Sequence, residues 1–301
     1  MASRQFQSLM EGLAKAAGGL ISPTDSTETA REKLNALHGH PIGPDTQVDW
    51  VHLAGVRCAR VEVAGLEKDC PLLFLCHGGA YIAAGGDGYL FYAEMLGRAC
   101  GARVLLVDYR LAPEHLYPAA LDDCTDAYVG LIESGESPDR IAIIGDSCGG
   151  TLAVTTLLRL RESAHPMPAV AIALGGWFDL HSPSGDPEAD PALDPFAHPD
   201  FTRARGRDYA GQMGKLDDPL VSPVYADLTG LPPLLLQVGD VDLTCGDAEK
   251  LAVRARSVGV DVTLEIHPEM IHGFQGLANA GIPEAQDALE QVAAFITSHI
   301  G

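Results

Sequence analysis

The chain has 301 residues, and its 20 Lys plus Arg stand against 41 Asp plus Glu, a formal charge of −21. A field of that sign repels phosphate backbones and anionic lipid, which argues against nucleic-acid and membrane partners, and no stretch is long and apolar enough to span a bilayer. Seven cysteines at irregular spacing fit the reducing cytoplasm better than a disulfide scaffold, and with the histidines they form no zinc-type cluster, so neither a metal nor another cofactor is expected.

In chain order, the first expected element is an amphipathic helix carrying Phe6, Leu9, Met10 and Leu13, broken at Gly18-Gly19. Glu11 and Lys15 interrupt the apolar stretch, which rules it out as a secretory signal. A second helix begins near Asp25, with Glu28 three residues on as a capping box. From there strand-like and helical runs alternate. Strands are expected near 59–63, 71–76, 103–107, 140–144, 169–174, 233–238 and 261–266, and helices near 88–100, 119–133, 149–162, 246–258 and 284–299. This alternation predicts an α/β fold, a mostly parallel central sheet covered by helices on both faces. Catalytic loops then gather at the C-terminal ends of the strands. One segment departs from the repeat. Pro183, Pro187, Pro191, Pro195 and Pro199 recur every four residues and break any continuous helix, after which Phe201, Tyr209 and Met213 stand at helical spacing. The expected division is N-terminal cap helices over 1–44, a catalytic core over 45–177 and 226–301, and a cap insertion over 178–225.

The chemistry concentrates where strands end. The apolar run Ile141-Ala142-Ile143-Ile144 leads into Gly145-Asp146-Ser147-Cys148-Gly149, and a strand feeding Gly-x-Ser-x-Gly and then a helix is the nucleophile elbow of an α/β-hydrolase. Ser147 is the candidate nucleophile. Upstream, Leu72-Leu73-Phe74-Leu75-Cys76 ends in His77-Gly78-Gly79-Ala80-Tyr81, an arrangement that supplies backbone N–H donors to an oxyanion hole. Each such donor lowers the barrier by about 3 to 4 kcal/mol. Gly78, Gly79 and the amide of Cys148 are the expected donors, and the Cys148 side chain reads as a small core filler. Downstream come an acid after the strand at 233–238 and a histidine after the strand at 261–266, the chain order Ser, Asp, His that this fold requires. Asp242 and His272 are the leading candidates; Asp240 and Asp247 rival the first, His267 the second. The stretch from Asp108 to Glu114 reads as architecture, a strand exit and a turn in which Arg110 and Glu114 pair with neighbours.

Four stretches together, His77-Gly78-Gly79-Ala80-Tyr81, Asp108-Tyr109-Arg110-Leu111-Ala112-Pro113-Glu114, Gly145-Asp146-Ser147-Cys148-Gly149-Gly150 and His272-Gly273-Phe274, resemble the hormone-sensitive-lipase-like bacterial esterases and lipases of the α/β-hydrolase superfamily. The similarity runs from about residue 45 to the C-terminus. It implies hydrolysis of small, uncharged carboxylic esters of short to medium chain through an acyl-enzyme, with Ser147, Asp242 and His272 on the triad positions and Gly78 and Gly79 in the oxyanion hole. It further implies a small helical cap, and a homodimer through the last strand and helix. Three residues depart from the family pattern: Ala80 replaces a frequent third glycine, Cys148 a commoner alanine, and Asp242-Leu243-Thr244 the usual Asp-Pro-Leu. Ala80, Tyr81, Asp146, Trp177, Phe178 and Phe201 are expected around the substrate. A lactone or amide hydrolase with the same triad, and a non-catalytic receptor on the same fold, are the alternatives.

Overall fold

Strands β3 (Leu72–Cys76), β5 (Ile141–Asp146), β6 (Val170–Leu174) and β7 (Leu234–Gly239) are buried at every residue, as strands covered on both faces must be. With β1 (Thr46–Leu53), β2 (Val56–Val63), β4 (Arg103–Val107) and β8 (Val262–His267) they form one eight-stranded sheet in the order β1-β2-β4-β3-β5-β6-β7-β8. The pairings β1/β2 and β2/β4 are antiparallel and the other five parallel. This architecture comes from a computed structural model that describes residues 2–15, 21–22, 24–182, 194–195, 198–211 and 214–300. Gly18, Gly19, Pro183, Pro187, Pro191 and Met213, singled out in the sequence, lie outside the described residues.

Seven strands sit on the expected runs. The eighth, β1, was not expected. It alternates polar and apolar residues and joins β2 through Ala54 and Gly55, both with positive φ (47° and 88°), the two-residue hairpin turn whose twist matches that of the strands.

Each face of the sheet carries its own core. Helices α4 (Ala119–Glu133), α5 (Cys148–Glu162) and α7 (Cys245–Ser257) bury Cys124, Leu157 and Leu251 on one face. On the other, α3 (Leu90–Cys100) and α8 (Pro283–His299) bury Leu96 and Leu289. Two N-terminal helices, α1 (Arg4–Lys15) and α2 (Thr27–His38), add Phe6 and Leu34 to that second core. The start of α2 differs from the expected capping box by one residue. Ser26 is the N-cap and its Oγ accepts the Thr29 amide at 3.2 Å, while Asp25 accepts the Ser22 amide and pairs with Lys33, both at 2.8 Å. Those partners hold the Asp25 carboxylate away from the helix N-terminus. Helix α6 (Pro199–Ala210) opens on proline at its first position, where no amide is needed. Among the described residues no helix is long and apolar enough to cross a membrane.

Candidate active site

The loops that leave β3, β5, β6, β7 and β8 all open at the C-terminal edge of the parallel strands, and the site is built from them. At the end of β5 the chain reverses so sharply that a Cβ on Gly145 would lie 2.1 Å from the Gly149 carbonyl oxygen, and one on Gly149 2.1 Å from that of Cys76. Both glycines are therefore steric requirements. Between them Ser147 has φ 52° and ψ −124°, a conformation that costs about 1 to 3 kcal/mol and persists only where surrounding bonds enforce it. They do so here. The Ser147 amide donates to Leu174 O at 2.8 Å, and its carbonyl accepts from Gly150 and Trp177 at 3.0 and 3.3 Å.

The hydroxyl so presented lies 2.9 Å from Nε2 of His272, and the other ring nitrogen, Nδ1, is 3.0 Å from both carboxylate oxygens of Asp242. Asp242 is buried, and one of its oxygens also accepts from the amide and hydroxyl of Thr244 at 2.8 and 3.0 Å. In the neutral imidazole, the Nδ1–H tautomer donates to Asp242 and leaves Nε2 to accept from Ser147. Burial disfavours the imidazolium, yet the carboxylate of Asp242, assisted by those of Asp194 and Asp146, outweighs it and raises His272 from 6.5 to about 9.

None of the rival residues is in this chain of contacts. Asp240 accepts the Glu269 amide at 2.6 Å, Asp247 accepts that of Asp179 at 3.1 Å, and His267 sits 4.9 Å from the ring of Phe274 with its Nε2 at 3.9 Å from Glu265.

The loop after β3 departs from expectation at one donor. The Gly78 amide is directed to Asp146 Oδ1 at 3.1 Å, so it is taken by a buried carboxylate; Gly79 and Ala80 are the residues of this loop that line the cavity beside Ser147. Asp146 also accepts the phenol of Tyr89, and burial pushes its carboxyl up to about 6 against the pull of both bonds. His77 stacks on Tyr109 at 4.0 Å, and its Nδ1 meets Gly78 O at 2.6 Å. Burial lowers His77 to about 4, so the ring is neutral and Nδ1 is the donor. Among the described residues no three His, Cys, Asp or Glu side chains gather to hold a metal. Cys148 does more than fill space, because its Sγ accepts the Tyr81 amide at 3.2 Å and fastens the loop after β3 to the first turn of α5.

A cavity of about 500 Å³ opens above Ser147 and His272. Its apolar wall comes from Leu9 and Leu13 of α1, Leu34 and Leu37 of α2, Phe201 of α6 and Leu277. Of the residues expected around a substrate, Ala80, Asp146, Trp177 and Phe201 line this cavity, and Tyr81 and Phe178 do not. Tyr81 has φ 64°, and its ring is stacked on Tyr209 at 3.7 Å in the core beneath α4 and α5. Phe178 is fully buried with its ring against Gly176, where a Cβ would lie 2.1 Å away.

Two contacts had no signal in the sequence. Asp194 Oδ2 accepts the His272 amide at 2.9 Å, and Gly175 (φ 55°) lies so close to the triad that a Cβ there would be 3.1 Å from Asp242 Oδ2 and 3.4 Å from His272 Nδ1.

Residues 73–276 match the model of a family described by its alpha/beta hydrolase fold. An acetyl-hydrolase of Streptomyces hygroscopicus is 36% identical over 245 residues, 81% of each chain. An esterase of Acinetobacter venetianus is 34% identical over 258 residues, 86% of this chain and 84% of that one. Among solved structures, an esterase from the bacterial hormone-sensitive lipase family superposes with a TM-score of 0.90 at 33% identity over the whole of both chains.

Proposed function

The chain belongs to the hormone-sensitive-lipase-like esterases of the alpha/beta-hydrolase family, and from that membership we propose that it hydrolyses small, uncharged carboxylic esters of short to medium acyl chain through an acyl-enzyme on Ser147. The observation that carries the mechanism is the unbroken line Ser147 Oγ, His272 Nε2, His272 Nδ1, Asp242, with steps of 2.9 and 3.0 Å. In the first half-reaction Ser147 Oγ attacks the ester carbonyl carbon as His272 takes its proton. The carbonyl π pair moves onto oxygen, and the amides of Gly79, Ala80 and Cys148 are the proposed donors to that oxyanion. The pair then returns, the bond to the alcohol breaks, and His272 gives its proton to the departing oxygen. Water repeats the sequence on the acyl-enzyme, releasing the carboxylic acid and restoring Ser147. Asp242 keeps its charge throughout, holding the tautomer and stabilising the imidazolium.

We assign the walls contributed by residues 1–44 and 178–225 to a cap, supported by Leu9, Leu37 and Phe201 facing the same cavity as Ser147. Its volume suits an ester of modest size. Seven cysteines without a disulfide support a cytoplasmic location. The outer edge of β8, where Ile266 is 39% exposed, is the surface proposed for a homodimer.

The decisive test measures turnover of p-nitrophenyl esters from acetate to decanoate beside matched lactones and amides, in wild type and Ser147→Ala. A rate lost in the variant, together with covalent labelling of wild-type Ser147 by a phosphonate, is the expected result. Ester turnover that survives Ser147→Ala overturns the assignment.

A further inference from the structure

The loop that carries Gly79 and Ala80 is held in an unfavourable shape. Ala80, Tyr81 and Ala84 all have left-handed φ (54°, 64° and 69°), which side chains with a Cβ rarely adopt, so bonds from outside must maintain it. Two come from the stretch between Asp108 and Glu114, for which the sequence suggested only architecture: Tyr109 Oη donates to His77 O at 2.7 Å, and the Ala112 amide to Tyr81 O at 2.9 Å. Two more come from α2. Asn35 Oδ1 accepts the Ala84 amide at 2.8 Å, and one turn earlier Arg31 Nε donates to Ile82 O at 2.6 Å. The same guanidinium donates to Ala112 O at 2.8 Å and forms a two-pronged pair with Glu114 at 2.6 and 2.7 Å.

As an ion pair alone this contact means little, since both side chains are substantially exposed. The carbonyl contacts give it a different character. A planar fork with donors on three nitrogens is the one side chain that spans Ile82 O, Ala112 O and a carboxylate at once.

We propose that Arg31 is a positioning residue for catalysis: by tying Ile82 of the oxyanion loop to the turn at Ala112 and Glu114, it makes α2 part of the device that sets the oxyanion donors, beyond its place in the cavity wall. The inference rests on reading Gly79, Ala80 and Cys148 as those donors. It separates α2 into two faces with two jobs, Leu34 and Leu37 against substrate and Arg31 and Asn35 against the loop.

The test compares wild type with Arg31→Met and Arg31→Lys, reading kcat and KM for p-nitrophenyl butyrate and the inhibition constant of a trifluoromethyl ketone. That ketone accepts the Ser147 oxygen at its carbonyl carbon, with the serine proton passing to His272, and leaves a tetrahedral oxyanion in the hole. Misplaced donors predict a kcat lowered about 10- to 100-fold in Arg31→Met with KM changed less than about twofold, and a ketone inhibition constant weakened in parallel with kcat/KM. Arg31→Lys, which keeps the charge and stem but cannot reach three acceptors, falls between. A role confined to the cavity wall raises KM and spares kcat, and that result overturns the proposal. Should Arg31→Met fail to fold, an undiminished kcat in Arg31→Lys overturns it equally. Failure of wild-type Ser147 to react with a phosphonate removes the underlying reading as well, whereas a reactive wild type with full kcat in both variants removes this inference alone.

Discussion

Asp194 and His272 are joined across 78 residues of sequence by a hydrogen bond in which the Asp194 carboxylate accepts the main-chain N–H of the histidine at 2.9 Å. The bond holds the backbone from which the imidazole hangs. Asp194→Ala leaves a charge-assisted bond unmade next to the triad, a loss of about 1.5 kcal/mol, which corresponds to about a tenfold drop in kcat/KM if the cost falls on the transition state. Asp194→Asn keeps an acceptor oxygen and recovers most of the rate. Equal rates in wild type and Asp194→Ala would show that the loop holds itself.

The carboxylates of Asp242, Asp194 and Asp146 together hold His272 above its ordinary range, at about 9. Only the neutral imidazole can accept the Ser147 proton, so kcat/KM rises with pH and its inflection lies on the alkaline side of 6.5. Asp146→Asn removes one of the three charges while keeping a side-chain oxygen that can accept from the Gly78 amide or the Tyr89 phenol, and its inflection moves to lower pH than in wild type. A pH series of kcat/KM for both proteins, with an ester that is stable in mild base, reads the difference.

Stability responds to the same proton with opposite sign. A histidine whose folded pKa is raised contributes stability that is complete below its unfolded value of about 6.5 and is lost as pH climbs through the folded value of about 9. Thermal melting therefore shifts to lower temperature between those limits, over the range where activity increases. In His272→Ala this part of the slope disappears, which melting curves of the two proteins at matched pH values would establish.

Legibility in the sequence follows how local each constraint is. Gly145 and Gly149 were readable because the turn around Ser147 leaves no room for a Cβ at either position, so chemistry and spacing coincide in five residues. The acid and base were narrowed to a few candidates by strand ends, but the choice of Asp242 over Asp240 is made by which carboxylate faces His272, a distance that only the fold supplies. Tyr81 and Gly78 were misread for two reasons: left-handed residues in the loop after β3 turn the Tyr81 ring into the core, and a buried Asp146 claims the Gly78 amide. Side-chain identity carries neither fact. Strand β1 did leave a trace, its alternating pattern and the Ala54-Gly55 turn, but its polar face and exposed edge position kept it from resembling the buried strands.

Gly175 packs directly against Asp242 and His272. Alanine there meets two penalties, a φ of 55° that disfavours any Cβ and contacts of 3.1 and 3.4 Å with Asp242 and His272. Because the neighbours that must yield are the proposed catalytic acid and base, Gly175→Ala is expected to lower kcat about 10- to 100-fold while costing only about 1 to 2 kcal/mol of stability. Kinetics and a denaturation curve on the same preparation separate the two effects; a stability loss with kcat intact would mean that the strand end moves and the triad does not.

The proposed acyl-chain site lies where the N-terminal helices meet the cavity. Leu37 of α2 is only partly buried and lines the space above Ser147, so an indole at this position can enter the cavity without displacing packed core. Each methylene lost from a hydrophobic pocket is worth about 1 kcal/mol or more of discrimination. Leu37→Trp should then leave acetate turnover within about twofold and cut kcat/KM for octanoate about tenfold or more, whereas Leu37→Ala shifts the profile toward longer chains. The ratio of octanoate to acetate kcat/KM is the quantity to follow, since a general loss of fold or of active enzyme cancels from it. An unchanged ratio in both variants would place the acyl chain along another wall, with Phe201 of α6 and Leu277 as the next positions to alter.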